Sequence, residues 1–127
     1  MARPYEGMLD QICRSNGWVL GEDKGQLVLG IPGGDGNQAA VVIDEFQDST
    51  GQQALRFWSA VAPQSKVKPD QLLTINAQLP HGALAFKDGQ AVMLATRVLN
   101  LTSPADLATV LTALAYYAGF YRKHYGG

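Results

Sequence analysis

Charged side chains are scarce in this sequence. Asp, Glu, Lys and Arg make up 17% of the 127 residues, against roughly 25% in a typical soluble domain. Because charges keep a surface stable in water, so low a fraction indicates that another chain covers part of the outer surface. The net charge is −1 and Lys and Arg do not cluster. The sequence therefore lacks the basic stripe that phosphate contacts require, and we predict no nucleic-acid partner.

Cysteine and histidine are equally few. Cys13 is the one cysteine, so neither an intramolecular disulfide nor a thiolate metal cage can form, and a reduced, cytoplasmic setting fits. Histidine occurs only at His81, in a turn between Pro80 and Gly82, and at His124 near the C-terminal end. The sequence contains no Gly-x-Ser-x-Gly, Cys-x-x-Cys or His-x-x-x-His pattern. We therefore predict no catalytic residue, no metal site and no cofactor, and expect that the protein is not an enzyme.

Long apolar runs are also missing. No run approaches the ~20 residues that a membrane-spanning helix requires. The N-terminal stretch from Met1 to Glu6 lacks the apolar segment of a signal peptide. We therefore expect a cytoplasmic protein with no membrane partner.

Apolar periodicity is what the sequence does contain, and in its first half it predicts one helix and four strands. Apolar residues recur with three-and-four spacing over residues 5–16, as in an amphipathic helix, and Gly17 follows its end. Strands are predicted at residues 18–20, 27–31, 39–46 and 54–62, separated by turn-forming segments at residues 22–25, 32–37 and 47–53.

The second half predicts a helix, a hairpin and a last helix. Pro69 and Asp70 suit a first helical turn, Leu72, Leu73, Ile75, Asn76 and Leu79 line one side, and Pro80 ends the helix. Asp88-Gly89 is a strong hairpin signal between residues 83–87 and 90–98. Ser103-Pro104 opens the last helix. The chain is therefore expected to form a single α+β domain over residues 1–127, in the order α-β-β-β-β-α-β-β-α, with helices packed on an antiparallel sheet.

The last helix has an uncharged back. Its apolar stripe consists of Leu107, Val110, Leu111, Leu114, Tyr117, Ala118 and Tyr121, and the opposite side carries Ala105, Thr109, Thr112, Ala113, Tyr116 and Phe120. No charged residue lies between Asp106 and Arg122. A helix that is apolar all round is normally covered on both sides. Either this helix lies in a groove of its own domain, or Tyr116 and Phe120, with Thr109 and Thr112, form a contact with a second copy or another protein.

A second candidate surface lies on the predicted strand 54–62. Arg56 and Trp58 alternate with Leu55, Phe57 and Val61, so the two sets point to opposite faces of the sheet. If the second set faces the helices, Arg56 and Trp58 lie on the open face, and both are residue types enriched at protein interfaces. The alternative is that a loop or the second helix covers Trp58, since tryptophan is highly buried on average.

Three segments together resemble the second half of a type III secretion chaperone-like domain. They are Leu72-Leu73-Thr74-Ile75-Asn76, the stretch from Gly82 to Leu94 with Asp88-Gly89 at its turn, and the helix from Leu107 to Leu114. This group includes the CesT-like chaperones and the YbjN-type proteins. The resemblance implies a helix–sheet–helix–hairpin–helix fold, frequent homodimers, and binding of partner polypeptides. Secretion chaperones are typically acidic, so a net charge of −1 favours the YbjN type, whose biological role is unassigned.

Three hypotheses of function remain open at this point. The first is a non-enzymatic protein-binding or chaperone-like module, expected to be a homodimer with a polypeptide client. The second is a small-molecule-binding domain or minor enzyme, with a pocket between sheet and helices near His81 and Asn76. The third is a subunit that is stable only within a larger assembly.

Overall fold

The computed structural model describes residues 5–126, and it confirms the predicted α+β class and the predicted order of elements. The elements are α1 (Glu6–Asn16), β1 (Val19–Asp23), β2 (Gln26–Pro32), β3 (Gln38–Gln47), β4 (Gln53–Pro63), α2 (Pro69–Asn76), β5 (Ala83–Lys87), β6 (Gln90–Val98) and α3 (Pro104–Gly126). The stretch before Tyr5, in which we found no signal-peptide pattern, lies outside the described residues. Among residues 5–126, no helix is long and apolar enough to span a membrane.

All six strands form one antiparallel sheet in the order β1-β2-β3-β4-β6-β5. The first four strands are sequential neighbours, whereas β4 pairs with β6 and β5 lies at the edge. The chain leaves β4 at Pro63 and returns at Gln90, and these two residues are direct partners across the sheet. The segment that contains α2 and β5 is therefore an excursion between two adjacent strands.

The three helices pack on one face of the sheet. Leu9 of α1, Leu72 of α2 and Leu111 of α3 belong to a single buried cluster with Phe57 and Met93 of the central strands. Full burial of such a side chain stabilises the fold by about 1.5–3 kcal/mol. Side chains alternate between the two faces along each strand. Arg56, Trp58 and the residues directly beside them on adjacent strands therefore point to the face that carries no helix, which we call the open sheet face.

Local predictions differ from the structure at Leu73 and at residues 22–23. Leu73 was expected on the buried side of α2, but it is 74% exposed. The buried residue of this short helix is Leu72. Residues 22–23 were expected in a turn, but β1 extends to Asp23. The turn needs only Lys24 and Gly25, which both have positive φ, the conformation that a two-residue hairpin requires.

Asn76 ties α2 to the edge of the sheet. Its side-chain Oδ1 accepts a hydrogen bond from the Leu84 amide at 2.7 Å, and its Nδ2 donates to the Leu84 carbonyl at 3.0 Å. The helix ends at this residue, so Leu79, which we had placed on the helical stripe, lies beyond it.

Candidate protein-binding surfaces

The side of α3 that faces away from the sheet is uncovered. Tyr116 is 49% exposed and Phe120 46% exposed, and Thr109 and Thr112 on the same side are exposed too. On the opposite side of the helix, Leu107, Val110, Leu111 and Leu114 are at most 1% exposed. The helix therefore does not lie in a groove of its own domain. We call the exposed residues Thr109, Thr112, Tyr116 and Phe120 the α3 stripe.

The two threonines make the α3 stripe more apolar than the sequence shows. The Thr109 hydroxyl donates to the Ala105 carbonyl at 3.1 Å, and the Thr112 hydroxyl donates to the Ala108 carbonyl at 2.8 Å. Each hydroxyl proton is thus used within the helix, as is usual for threonine in a helix interior. The side chains consequently offer a partner their methyl groups and hydroxyl acceptors but no free hydroxyl donor.

Aromatic contacts hold the two rings of the α3 stripe. The Tyr116 and Phe120 rings are stacked, with centroids 6.5 Å apart and an interplanar angle of 18°. Tyr116 also meets the ring of Tyr117 edge-on at 5.2 Å. Tyrosine and phenylalanine have few side-chain torsions to immobilise, so a preformed pair of this kind loses little entropy when it binds.

The loop between β2 and β3 braces this part of α3. The Gly34 amide donates to the Tyr116 carbonyl at 3.0 Å. A Cβ at Gly119 would lie 2.6 Å from the Gly34 nitrogen, so only glycine admits the loop backbone at that distance. The sequence predicted this glycine-rich stretch as a loop, but nothing in its pattern indicated that it contacts the last helix.

An ion pair between Asp35 and Arg122 also connects this loop to α3. Asp35 Oδ2 accepts a hydrogen bond from Arg122 Nε at 3.0 Å and also lies 3.0 Å from Arg122 Nη2. Burial acts to raise the pKa of Asp35, but the hydrogen bond from the Asn37 amide and the guanidinium of Arg122 outweigh it. The pKa of Asp35 therefore lies below its ordinary value.

A groove of about 520 Å³ runs beside the N-terminal half of the α3 stripe. Its lining includes Asn16 at the end of α1, Pro80 and His81 in the loop after α2, and Thr109, Thr112 and Ala113 on the helix itself. His81 therefore lines a groove beside α3, whereas the small-molecule hypothesis placed its pocket between sheet and helices near both His81 and Asn76. Asn76 does not line the groove, because its amide is bonded to Leu84.

Trp58 lies on the open sheet face, so the second helix does not cover it. Its indole Nε1 donates to Asp44 Oδ2 at 2.9 Å, and the Lys87 ammonium lies 4.9 Å from a ring centroid. The ring is half-buried among its strand neighbours. It is thus held in one orientation while one face of the sheet around it remains free of helices.

Arg56 is held on the same face by two contacts. Its Nε donates to the Thr96 hydroxyl at 3.2 Å, and its guanidinium carbon lies 4.4 Å from the centroid of the Phe46 ring. Such a cation–π contact stabilises by about 0.5–1 kcal/mol when exposed. The sequence identified Arg56 and Trp58 but missed Asp44 and Phe46, which fix them from the neighbouring strand.

Asp44 and Glu45 point to opposite faces of the sheet, as adjacent residues of a strand do. Asp44 accepts hydrogen bonds from Gln26 and Trp58 on the open sheet face. Glu45 accepts from Gln53 and, at 3.0 Å, from the Tyr5 hydroxyl. The cross-strand register that places Asp44 beside Arg56 and Trp58 follows from the turn length between β3 and β4, which was the signal that could have found this group.

The cysteine, histidine and acidic residues that could have formed a catalytic or metal site do not form one cluster among the described residues. Cys13 is 3% exposed, and burial, with a smaller contribution from Asp10, raises the pKa of its thiol. In the part of the chain that the structure describes, no three His, Cys, Asp or Glu side chains converge as metal ligands. The residues that the fold does bring together form two surfaces with at least partly exposed aromatic side chains, the α3 stripe and the open sheet face.

Comparisons with known proteins identify the fold. The sequence matches no family model and no curated protein. One chain of the HopA1–SchA chaperone–effector complex is similar to it with a TM-score of 0.66 and 19% identity, covering 94% of this chain and 93% of that one. A chain from the Yersinia pestis type III secretion chaperone SycH in complex with a fragment of YscM2 is similar with a TM-score of 0.61 and 19% identity, covering 92% and 98%. The chain therefore shares the fold of type III secretion chaperone structures.

Proposed function

We propose that this chain is a non-enzymatic, protein-binding module with a chaperone-like role, which contacts other polypeptides through the α3 stripe and the open sheet face. The proposal takes residues 1–127 as one cytoplasmic domain of the YbjN or type III secretion chaperone-like type. A polypeptide client and a second copy are the partners it envisages.

One observation carries the proposal. The α3 stripe exposes two aromatic side chains by about half on a helix that has no charged residue between Asp106 and Arg122. Contiguous apolar surface of this kind marks interaction sites on soluble proteins. Aromatic residues are also the types on which interfaces concentrate their binding energy.

The open sheet face supports the same proposal from the other layer. Trp58 and Arg56 are each fixed by neighbours, through Asp44 and Thr96 respectively. An interface residue that is already oriented loses less entropy on binding. The shared fold is consistent with this role, since the two similar structures are chaperones in complex with other polypeptides.

Binding to an unfolded reporter polypeptide tests the proposal. The reporter is reduced and carboxymethylated, so that it cannot refold, and it carries a fluorescent label whose anisotropy is titrated with the protein, a signal that does not depend on the protein's own tryptophans. We expect binding that Trp58→Ala with Arg56→Ala, or Tyr116→Ser with Phe120→Ser, weakens by about tenfold or more. Gln78→Ala, which changes an exposed residue that belongs to neither surface, is the matched control and is expected to bind as the parent does.

The proposal is wrong if the parent protein does not bind the reporter. It is also wrong if the variants on both surfaces bind as tightly as Gln78→Ala. Far-UV circular dichroism of each variant separates a lost surface from a lost fold.

A further inference from the structure

We propose that the groove beside α3 binds a small organic molecule, namely an uncharged, planar aromatic compound that donates a hydrogen bond through a ring N–H. The proposal goes beyond the protein-binding role, because neither the α3 stripe nor the open sheet face needs a ligand in order to contact a polypeptide. The groove shares Thr109, Thr112 and Tyr116 with the α3 stripe, but it has further walls at the end of α1 and in the loop after α2.

The groove has the size and the composition of a small-molecule site. Its volume of about 520 Å³ lies within the range of roughly 300–1,000 Å³ that is usual for ligand pockets, which are mostly apolar with a few polar groups. Its apolar lining is formed by Pro80, Ala108, Ala113 and the rings of Tyr116 and Tyr117. A dry cavity of about 150 Å³ already binds benzene, so the groove is large enough for fused rings.

Two tyrosine rings form a corner of the groove. The ring centroids of Tyr116 and Tyr117 lie 5.2 Å apart, and the ring planes meet at 87°. A flat molecule in this corner stacks on one ring and meets the other edge-on, the two arrangements that aromatic pairs prefer. Phe120 stacks on one face of the Tyr116 ring, which leaves the opposite face for the ligand. The corner therefore favours an aromatic ligand over an aliphatic one.

The hydrogen-bonding groups beside this corner are acceptors. The Thr112 hydroxyl donates its proton to the Ala108 carbonyl at 2.8 Å, so its oxygen still accepts but has no proton to offer. Asn16 Nδ2 donates to the Ile12 carbonyl at 2.8 Å, and its Oδ1 is an acceptor. Thr112 lies one helical turn before Tyr116 on the same side of α3. A ring stacked on Tyr116 therefore has its edge near the Thr112 oxygen, where an N–H is the complementary group.

Charge decides the remaining property of the ligand. Within the described residues, no Asp, Glu, Lys or Arg lines the groove. An ionised molecule would lose hydration there without gaining an opposite charge, and such a transfer is costly. The groove therefore selects an uncharged ligand.

Indole is the probe for this site, because it is flat, uncharged and carries one ring N–H. Benzofuran has the same shape with an oxygen in place of the N–H, and indole-3-carboxylate adds a charge. Binding is measured by NMR from the shifts of backbone amides that line the groove, such as those of His81 and Ala113. We expect a dissociation constant of about 0.1–1 mM for indole, since so small a ligand gains limited free energy. Benzofuran is expected to bind about fivefold more weakly, and the carboxylate at least about tenfold more weakly.

Thr112→Val tests the hydrogen bond. Valine keeps the shape but removes the acceptor, so we expect indole to bind this variant as weakly as benzofuran does, while benzofuran binds it as it binds the parent. Thr74→Val is the matched control. The Thr74 hydroxyl also donates to the carbonyl four residues earlier, at 3.2 Å, but Thr74 lies on α2 outside the groove. A damaged fold would weaken both ligands alike, so the difference between them reports the contact itself.

Tyr116→Leu tests the aromatic wall and separates the groove from the α3 stripe. We expect it to weaken indole by about fivefold or more. Phe120→Leu is the contrasting variant, because Phe120 belongs to the α3 stripe but does not line the groove. It is expected to bind indole nearly as the parent does and to weaken binding of the unfolded reporter.

Three results would overturn the proposal. The first is that indole at about 5 mM, well above the expected dissociation constant, shifts none of the amides that line the groove. The second is that indole binds no better than benzofuran. The third is that a blocked, uncharged Ala-Trp-Ala peptide binds more tightly than indole and loses that advantage in Thr112→Val, which would assign the groove to a side chain of a polypeptide. All three leave the proposed function in place, since the reporter measures it separately. A protein that binds indole but no reporter gives the reverse result, in which the ligand site stands and the proposed function falls.

Discussion

The side-chain amide of Asn76 makes two hydrogen bonds with a single residue, Leu84, on the edge strand β5. The bonds involve the amide and the carbonyl of Leu84, the same two groups that a neighbouring strand would use. An edge strand with unpaired backbone groups is a site at which other chains add. Asn76 therefore satisfies the outward backbone groups of Leu84, one position of this edge, as a further strand would.

Replacing Asn76 is expected to destabilise the protein. Asn76→Ala leaves two partly buried backbone groups without partners, and we expect the free energy of unfolding to fall by about 1–3 kcal/mol. Asn76→Asp keeps an acceptor but loses the donor to the Leu84 carbonyl, so it is expected to destabilise too. Urea denaturation measures both, with Gln78→Ala on the exposed surface as the control. An Asn76→Ala variant as stable as the control would show that water replaces the amide without loss.

Two glycines in helices are expected to respond oppositely to alanine. Alanine is favoured over glycine within a helix by about 1 kcal/mol, and at Gly7 in α1 an added Cβ meets no atom within 4 Å. Gly7→Ala is therefore expected to raise the urea midpoint. At Gly119 the Cβ would lie 2.6 Å from the Gly34 nitrogen and 3.0 Å from the Asp35 nitrogen.

Gly119→Ala is accordingly expected to lower the midpoint, because backbone atoms on both sides of the contact must separate. The measurement is the same urea titration, and the loss of the hydrogen bond to the Tyr116 carbonyl is seen as faster hydrogen exchange of the Gly34 amide. A stabilising effect equal to that of Gly7→Ala would contradict the close approach of loop and helix.

The contact between the β2–β3 loop and α3 is expected to weaken in acid. The pKa of Asp35 is lowered in the folded protein, so its stabilising contribution is complete above the ordinary value of about 3.9 and is lost as the pH falls through the lower folded value. A carboxyl titration by NMR is expected to place the pKa of Asp35 below the ordinary aspartate value, and hydrogen exchange of the Gly34 amide should rise as Asp35 is protonated. In Asp35→Asn that rise should be absent, and its persistence would assign it to another group.

Valine is expected to replace either threonine of the α3 stripe without loss of protein binding. The Thr109 and Thr112 hydroxyls already donate to carbonyls of their own helix, and threonine and valine have similar helix propensities. We expect Thr109→Val with Thr112→Val to keep the solution mass and the affinity for the reporter, or to strengthen both. Thr112→Glu, which adds a charge at the same position, is the contrasting variant and is expected to weaken them.

Local patterns were sufficient to predict most of the fold. Asp88-Gly89 predicted the β5–β6 hairpin, and both residues have positive φ in the structure. Ser103 was predicted at the start of α3, and its hydroxyl caps the helix by accepting a hydrogen bond from the Asp106 amide at 3.1 Å. These signals are reliable because each depends on the backbone geometry of a few adjacent residues.

Contacts between distant segments were not predictable in this way. The exposed side of α3 was found because it lacks charge over four turns, but its brace by Gly34 depends on a loop far away in the chain. The acceptor of the Trp58 indole is a carboxylate on another strand, and its identity follows from the register of β3 and β4. The turn length between β3 and β4 sets that register only once the exact strand ends are known, and local patterns give neither those ends nor the position of the loop, so these partners became visible only in the structure.

The pairing of Pro63 with Gln90 makes the segment between them an insertion between two adjacent strands. Residues 64–89 begin and end at adjacent points, where the Gln64 amide donates to the Gly89 carbonyl at 2.9 Å. Without that segment, the remaining five strands form a simple meander whose registers do not depend on α2 or β5. Insertions or deletions within this segment are therefore expected to remodel one rim of the sheet while the other five strands keep their alignment.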